Sequence, residues 1–215
     1  MRKYEKIETV YARDTQGTKK LIPGEFRDET IHSLANIRWI WTEKVDGTNI
    51  RIYWDGHKIS FGGRTDSAII PGPLMNRLNE LFGGTVNEEV FEQIFGEKEV
   101  ILFGEGYGNK IQKVGKDYLP DSVNFILFDV LIGDNYQPRE TVERIAAAFN
   151  VPVVPIVGYG PLFDAVSYIE SNPKSIVAQE RCSMEGIVCR PEMELRDRCG
   201  NRIIVKIKWE DFKTI

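Results

Sequence analysis

The 215-residue sequence is 42% hydrophobic with a formal net charge of -4, apolar enough to bury a core and too acidic overall to coat nucleic acid along its whole surface. A local basic groove remains compatible with that average. The spacing of Cys182, Cys189 and Cys199 matches neither a zinc knuckle nor an even disulfide framework, and no apolar run approaches the ~18 residues of a membrane span, so a soluble, cytoplasmic protein with reduced thiols is expected.

Residues 1 to 36 are mixed and polar, with a turn-like basic patch at Lys19 and Lys20, and predict little. Ile37 to Lys44 reads as a buried strand. Lys44 falls in a short turn closed by Asp46 and Gly47, and a strand resumes with Ile50, Ile52 and Trp54 alternating against Asn49, Arg51 and Tyr53. Asp55-Gly56 signals a hairpin into His57–Phe61. After the loop at Gly62–Asp66, Pro73 opens a helix with Leu74, Leu78, Leu81 and Phe82 on one face, and Asn87 is placed to cap a second helix that stops at Gly96.

The strand Glu99–Phe103 runs into a glycine-rich bend, GEGYGNK, and a loop bearing Lys110, Lys113 and Lys116. Asn124–Leu131 is a second apolar strand, in which Phe128 falls on the face opposite Asp129. A helix from Pro138 to Phe149, a strand Val151–Val157, a helix opening at Pro161 and two strands, MEGIVCR and RIIVKIKW, complete a chain without repeats or linkers. One α+β domain covering residues 1–215 is expected.

Lys44 has two readings. Most turn lysines are solvated, whereas a lysine crowded by other cations or partly desolvated is a nucleophile for carbonyl or phosphoryl centres. In RIIVKIKW the period of two sends Lys206 and Lys208 to one face, opposite Ile203, Val205 and Ile207. A solvated sheet face explains that pair, and so does a cleft for phosphates. Glu105 and Glu185, each beside a glycine at a strand end, suit ordinary turns or, among phosphate-binding cations, ribose hydroxyls and a divalent metal. Phe128 suits the core or a base-stacking platform.

EKVDGTN, FGGRTD, LFGEG, FILFDV, MEGIVCR and VKIK occur in this order and resemble motifs I, Ia, III, IIIa, IV and V of the covalent nucleotidyltransferases, the superfamily of ATP-dependent RNA and DNA ligases and RNA-capping enzymes. The resemblance runs from Lys44 to Lys208. Asn49 stands where most DNA ligases carry arginine, which is similar to the RNA ligase 2 type; Asp46 stands where that type has histidine and DNA ligases have aspartate. The resemblance implies an α+β nucleotidyltransferase fold, ATP-grasp-like, of antiparallel sheets flanked by helices. Because the chain ends soon after motif V, a minimal ligase without a C-terminal OB-fold is expected, of the kind found in phages and some bacteria.

The implied activity is ATP-dependent RNA ligation with Mg2+ or Mn2+, by a monomer that needs no membrane and acts on RNA, with a nicked duplex or an RNA-DNA hybrid among the forms it would accept. Lys44 would carry AMP as a phosphoramidate, with Lys206 and Lys208 orienting the phosphates. Glu43 and Phe128 would hold adenine, Arg64 and Glu105 the ribose, Glu185 the metal, and Asn49 would act in sealing. A DNA ligase, a capping guanylyltransferase and a catalytically idle nucleotide-binding module are the rivals. Lys110, Lys113 and Lys116 suit a nucleic-acid backbone or a solvated loop, and His32 and His57 read as surface or structural groups.

Overall fold

The computed structural model describes residues 1–213. The strands are β1 (Glu8–Thr9), β2 (Tyr11–Arg13), β3 (Leu21–Phe26), β4 (Trp39–Lys44), β5 (Thr48–Trp54), β6 (Ile59–Gly62), β7 (Val100–Gly108), β8 (Val123–Ile132), β9 (Asn135–Tyr136), β10 (Ile156–Gly160), β11 (Gly186–Pro191) and β12 (Val205–Lys208). The helices are α1 (Glu29–Leu34), α2 (Gly72–Phe82), α3 (Thr85–Phe95), α4 (Gly115–Tyr118), α5 (Arg139–Ala148) and α6 (Leu162–Glu170). They form two compact units, one of Met1–Glu5, Asp46–Val154 and Ala178–Glu180, the other of Lys6–Val45, Pro155–Val177 and the chain from Arg181 on.

The unit containing Asp46–Val154 is built on the antiparallel sheet β6-β5-β7-β8-β9. Its core face presents Ile50, Ile52, Trp54, Leu102, Phe125 and Leu127, against which α2 lays Leu74, Leu78 and Phe82, α3 lays Phe91 and Phe95, and α5 lays Val142 and Ile145. The spacing of three and four residues on each helix makes those stripes continuous. Truncating a fully buried member such as Leu78 would cost about 2–5 kcal/mol.

The other unit is built on β1-β12-β11-β4-β10, antiparallel except for the parallel pair β1 and β12. One face packs Trp39, Trp41, Ile187, Cys189, Val205 and Ile207 against Leu162, Ala165, Val166 and Ile169 of α6. Cys189 is fully buried there, which pushes its thiol pKa up, and among the described residues none of the three cysteines forms a disulfide. The opening residues, opaque in sequence, add β1, the hairpin β2-β3, and α1 capped by Asp28, whose carboxylate accepts from Ile31 N–H.

Several expectations shift. Lys44 is the last residue of β4 rather than a turn residue, and the strands flanking Val45–Gly47 belong to different sheets. The helix expected to take Asn87 as its cap starts earlier, at Thr85, and Asn87 donates instead to the Gly83 carbonyl. GEGYG is not a bend: β7 runs through it because glycine is the residue that fits, a Cβ on Gly104 falling 2.2 Å from the Phe125 ring.

The strand expected at Val151–Val157 is displaced to Ile156–Gly160, since Pro152 and Pro155 have no N–H to donate; Val153 keeps one bridge to Leu127. A bulge pairs Phe103 with Asp129 and Gly104 with Leu127, so Phe128 is the extra residue in β8. Phe128 and Asp129 therefore lie on one side, both touched by Tyr4, instead of on opposite faces.

Candidate functional site

In the unit built on β4, β11 and β12, register brings the cations together. Gly186 of β11 lies between Lys44 and Lys208, and Val188 lies between Thr42 and Lys206. Period two then sets Lys44, Lys206 and Lys208 on one face of the sheet, with the apolar core on the other. Glu185, the residue before β11, accepts from Lys44 Nζ at 2.6 Å through Oε2, and its Oε1 is 3.1 Å from Lys208 Nζ. Lys208 also reaches Glu210 at 2.7 Å.

Side-chain exposures of 26% for Lys44, 23% for Lys208 and 16% for Glu185 place the group at the border of the solvent, where a charge pair is partly shielded from water but open to a ligand. The surroundings separate the two lysines of β12. Burial, and then the charges of Lys208 and Lys44, hold the Lys206 pKa below the usual lysine range. Burial opposes the charged form of Lys208 as well, but its bonds to Glu210 and Glu185 outweigh that and raise its pKa.

Glu43 points the other way. It is 1% exposed, pairs in register with core residue Ile187, and its carboxylate accepts from Ser175 Oγ and from Ile176 N–H. Burial raises its pKa, against the opposing pull of those hydrogen bonds. The acid adjacent to Lys44 in sequence thus lies on the opposite face of β4.

In the unit built on β5, β7 and β8, Asn49 and Glu105 are cross-strand partners. They share a face with Phe103, beside which Phe128 packs, so three predicted residues line one surface. Glu105 lies within β7 and not at its end. The Oδ1 of Asn49 is buried with no hydrogen-bond partner among the described residues, a state that costs free energy unless a ligand supplies a donor. Arg64 is exposed on the loop after β6.

Lys110, Lys113 and Lys116 are exposed on the segment that follows β7. That segment also grips the turn after Lys44: Asp46 N–H donates to the Tyr118 hydroxyl at 3.2 Å and Gln112 Nε2 to the Gly47 carbonyl at 3.0 Å. Sequence reasoning missed Tyr118, the last residue of α4 and 1% exposed, because no local pattern marks it. His32 stacks on Phe26, consistent with a structural role.

Among the described residues no three His, Cys, Asp or Glu side chains are grouped as a metal cage. A magnesium-like ion does not require one, because it takes one or two carboxylates and completes its shell with phosphate and water oxygens. Glu185, beside two phosphate-suited lysines, fits that habit.

The sequence pattern of the RNA ligase family matches residues 37–208, which span every motif-bearing element from β4 to β12. The chain belongs to the RNA ligase family. Solved structures of similar fold include a Naegleria gruberi RNA ligase with PPi, at 19% identity and TM-score 0.66 over 97% of this chain and 56% of that one. A mutant of the Naegleria gruberi enzyme with AMP and Mn matches at 18% identity and TM-score 0.66, covering 97% and 56%. An archaeal ATP-dependent RNA ligase, form 2, matches at 17% identity and TM-score 0.63, covering 99% and 49%. The chain thus spans about half the length of these relatives, and no curated protein matches it. As in other RNA ligase family members, the fold is mixed α+β, with antiparallel sheets flanked by helices. Among the described residues no helix is long and apolar enough to cross a membrane.

Proposed function

We propose that this chain is an ATP-dependent RNA ligase that works through a covalent lysyl-AMP. The observation that carries the reading is the single sheet face on which the Lys44 amine lies 2.6 Å from Glu185 with Lys206 and Lys208 beside them. A nucleophile, a carboxylate and two fixed cations are what attack on a triphosphate needs.

Lys206 and Lys208 hold phosphate oxygens and offset the charge that builds on departing pyrophosphate. Lys44 leaves Glu185, gives its proton to solvent, and its Nζ forms a bond to the α-phosphorus as the bond to pyrophosphate breaks. AMP next passes to an RNA 5′-phosphate, which frees the lysine, and a 3′-hydroxyl attacks that 5′-phosphorus and expels AMP. Glu185 would hold a divalent cation with the phosphates; when bound, the cation supplies further charge neutralisation.

Phe128 stacks on adenine, Arg64 and Glu105 take the ribose, and Asn49, with its unpartnered oxygen, acts in sealing. Glu43, 1% exposed on the opposite face of β4 and already accepting from Ser175 and Ile176, braces the strand that carries Lys44 and leaves the adenine to Phe128. We take the substrate to be nicked duplex RNA or an RNA-DNA hybrid, and the working form to be a cytoplasmic monomer.

The test is incubation with magnesium and α-labelled ATP or GTP, followed by nicked duplexes with RNA or DNA 3′ ends. Acid-labile label from ATP on the wild type, absent from Lys44→Ala, is expected. Label absent from the wild type with every nucleotide would favour an idle nucleotide-binding module, and sealing restricted to DNA ends would reassign the polynucleotide.

A further inference from the structure

Arg51 alternates against Ile50 and Ile52 in its strand, yet its side chain is also 0% exposed. A buried guanidinium is costly unless its donors are met, and here they are met by non-local groups. Nε donates to the Gly63 carbonyl at 2.7 Å, Nη2 to Asp66 Oδ1 at 2.9 Å, and Nη1 to the Met1 carbonyl at 3.0 Å. A longer contact, 3.4 Å, reaches the carbonyl of Arg2.

The neighbouring glycine makes this possible. Gly62 is the cross-strand partner of Arg51, and a Cβ there would come within 3.1 Å of Nη2. The guanidinium therefore passes beneath the glycine pair of FGGRTD and holds the loop on both sides of Arg64, at the residue before it and at the second residue after it. Arg64 itself is exposed, and its guanidinium makes no hydrogen bond or ion pair among the described residues. One arginine is spent on fixing the backbone from which another projects unengaged.

We infer that Arg51 is a positioning residue for nucleotide binding: it fixes the Gly63–Asp66 loop so that Arg64 meets the ribose. The inference rests on the ligase reading for the identity of the ligand, but the clamp is a property of these residues alone. The ionised state of Asp66 is consistent with it, since the Arg51 hydrogen bond and charge hold that carboxyl below its usual range. A guanidinium is suited to the task because its planar fork serves several acceptors at fixed angles, which a lysine ammonium cannot copy.

The experiment is a double-mutant cycle on the formation of labelled Lys44 at varied ATP. Arg51→Lys keeps the charge and loses the fork; Asp66→Asn weakens the same clamp from a partner that is 66% exposed, so the fold survives even if Arg51→Lys unfolds. Arg64→Ala, Asp66→Asn and Arg51→Lys are each expected to raise the KM for ATP roughly tenfold, the loss of one misplaced charge-assisted contact, with kcat little changed. Each clamp variant combined with Arg64→Ala should be no worse than Arg64→Ala alone. Multiplying losses, or an unchanged KM in both clamp variants while Arg64→Ala raises it, would overturn the positioning role and leave the ligase reading intact. No label on the wild type would instead overturn the ligase reading, and the ribose role with it.

Discussion

Gly47 lies against the backbone of Gly106: a Cβ on Gly47 would fall 2.2 Å from the Gly106 carbonyl oxygen and 2.8 Å from Cγ of Glu105. KVDGTN and LFGEG, far apart in sequence, are thus one contact in which only glycine leaves room. Gly47→Ala is expected to destabilise by about 1–3 kcal/mol, as overpacking does, and to slow Lys44 labelling because it moves the turn that follows Lys44. An urea midpoint equal to that of the wild type would contradict this contact.

Replacement of Lys44 separates chemistry from folding. Lys44→Ala leaves Glu185 paired with Lys208, so stability should change by no more than about 1 kcal/mol, while acid-labile label disappears. Lys44→Arg retains a cation for Glu185 and should also take no label. Label on either variant would assign the nucleophile elsewhere.

Lys206 makes a prediction with a sign. Its folded-state pKa lies below the ordinary 10.5, so between those values the unfolded chain binds more protons and stability rises with pH. At pH 7 the charged lysine therefore costs stability. Lys206→Met should melt at or above the wild-type temperature at neutral pH, with the advantage shrinking as pH approaches 10.5, and labelling should drop by about two orders of magnitude, as for a lost electrostatic group. A variant that melts lower at pH 7 than at pH 10, relative to wild type, would reverse the sign.

Glu185 keeps three ammonium groups compatible on one sheet face. Glu185→Ala removes the acid between Lys44 and Lys208 and should destabilise through repulsion, by an amount that added salt reduces. Thermal melts at low and high ionic strength read this directly. A loss of stability that salt leaves unchanged would point to packing instead of charge.

What the residues announce in advance follows from locality. Lys206 and Lys208 could be placed on one face because a strand alternates over neighbouring positions, and α2, α5 and α6 were legible from apolar spacing and their opening prolines. Arg51 was not, because its partners arrive from Met1, Gly63 and Asp66. GEGYG looked like a bend because nothing local reveals that the Phe125 ring fills the space above Gly104. The bulge that turns Phe128 and Asp129 to one side is set by β7, not by the alternation within β8.

The parallel pairing of Glu8 with Val205 and Thr9 with Lys206 gives the protein an order of assembly. Contacts between segments so distant in sequence close late, and on the ribosome the edge strand β1 must wait for nearly all of the intervening chain. The surface that gathers Lys44, Lys206 and Lys208 therefore comes into being only after β12 has been made. Until then β4 presents Lys44 without the two cations that β12 supplies.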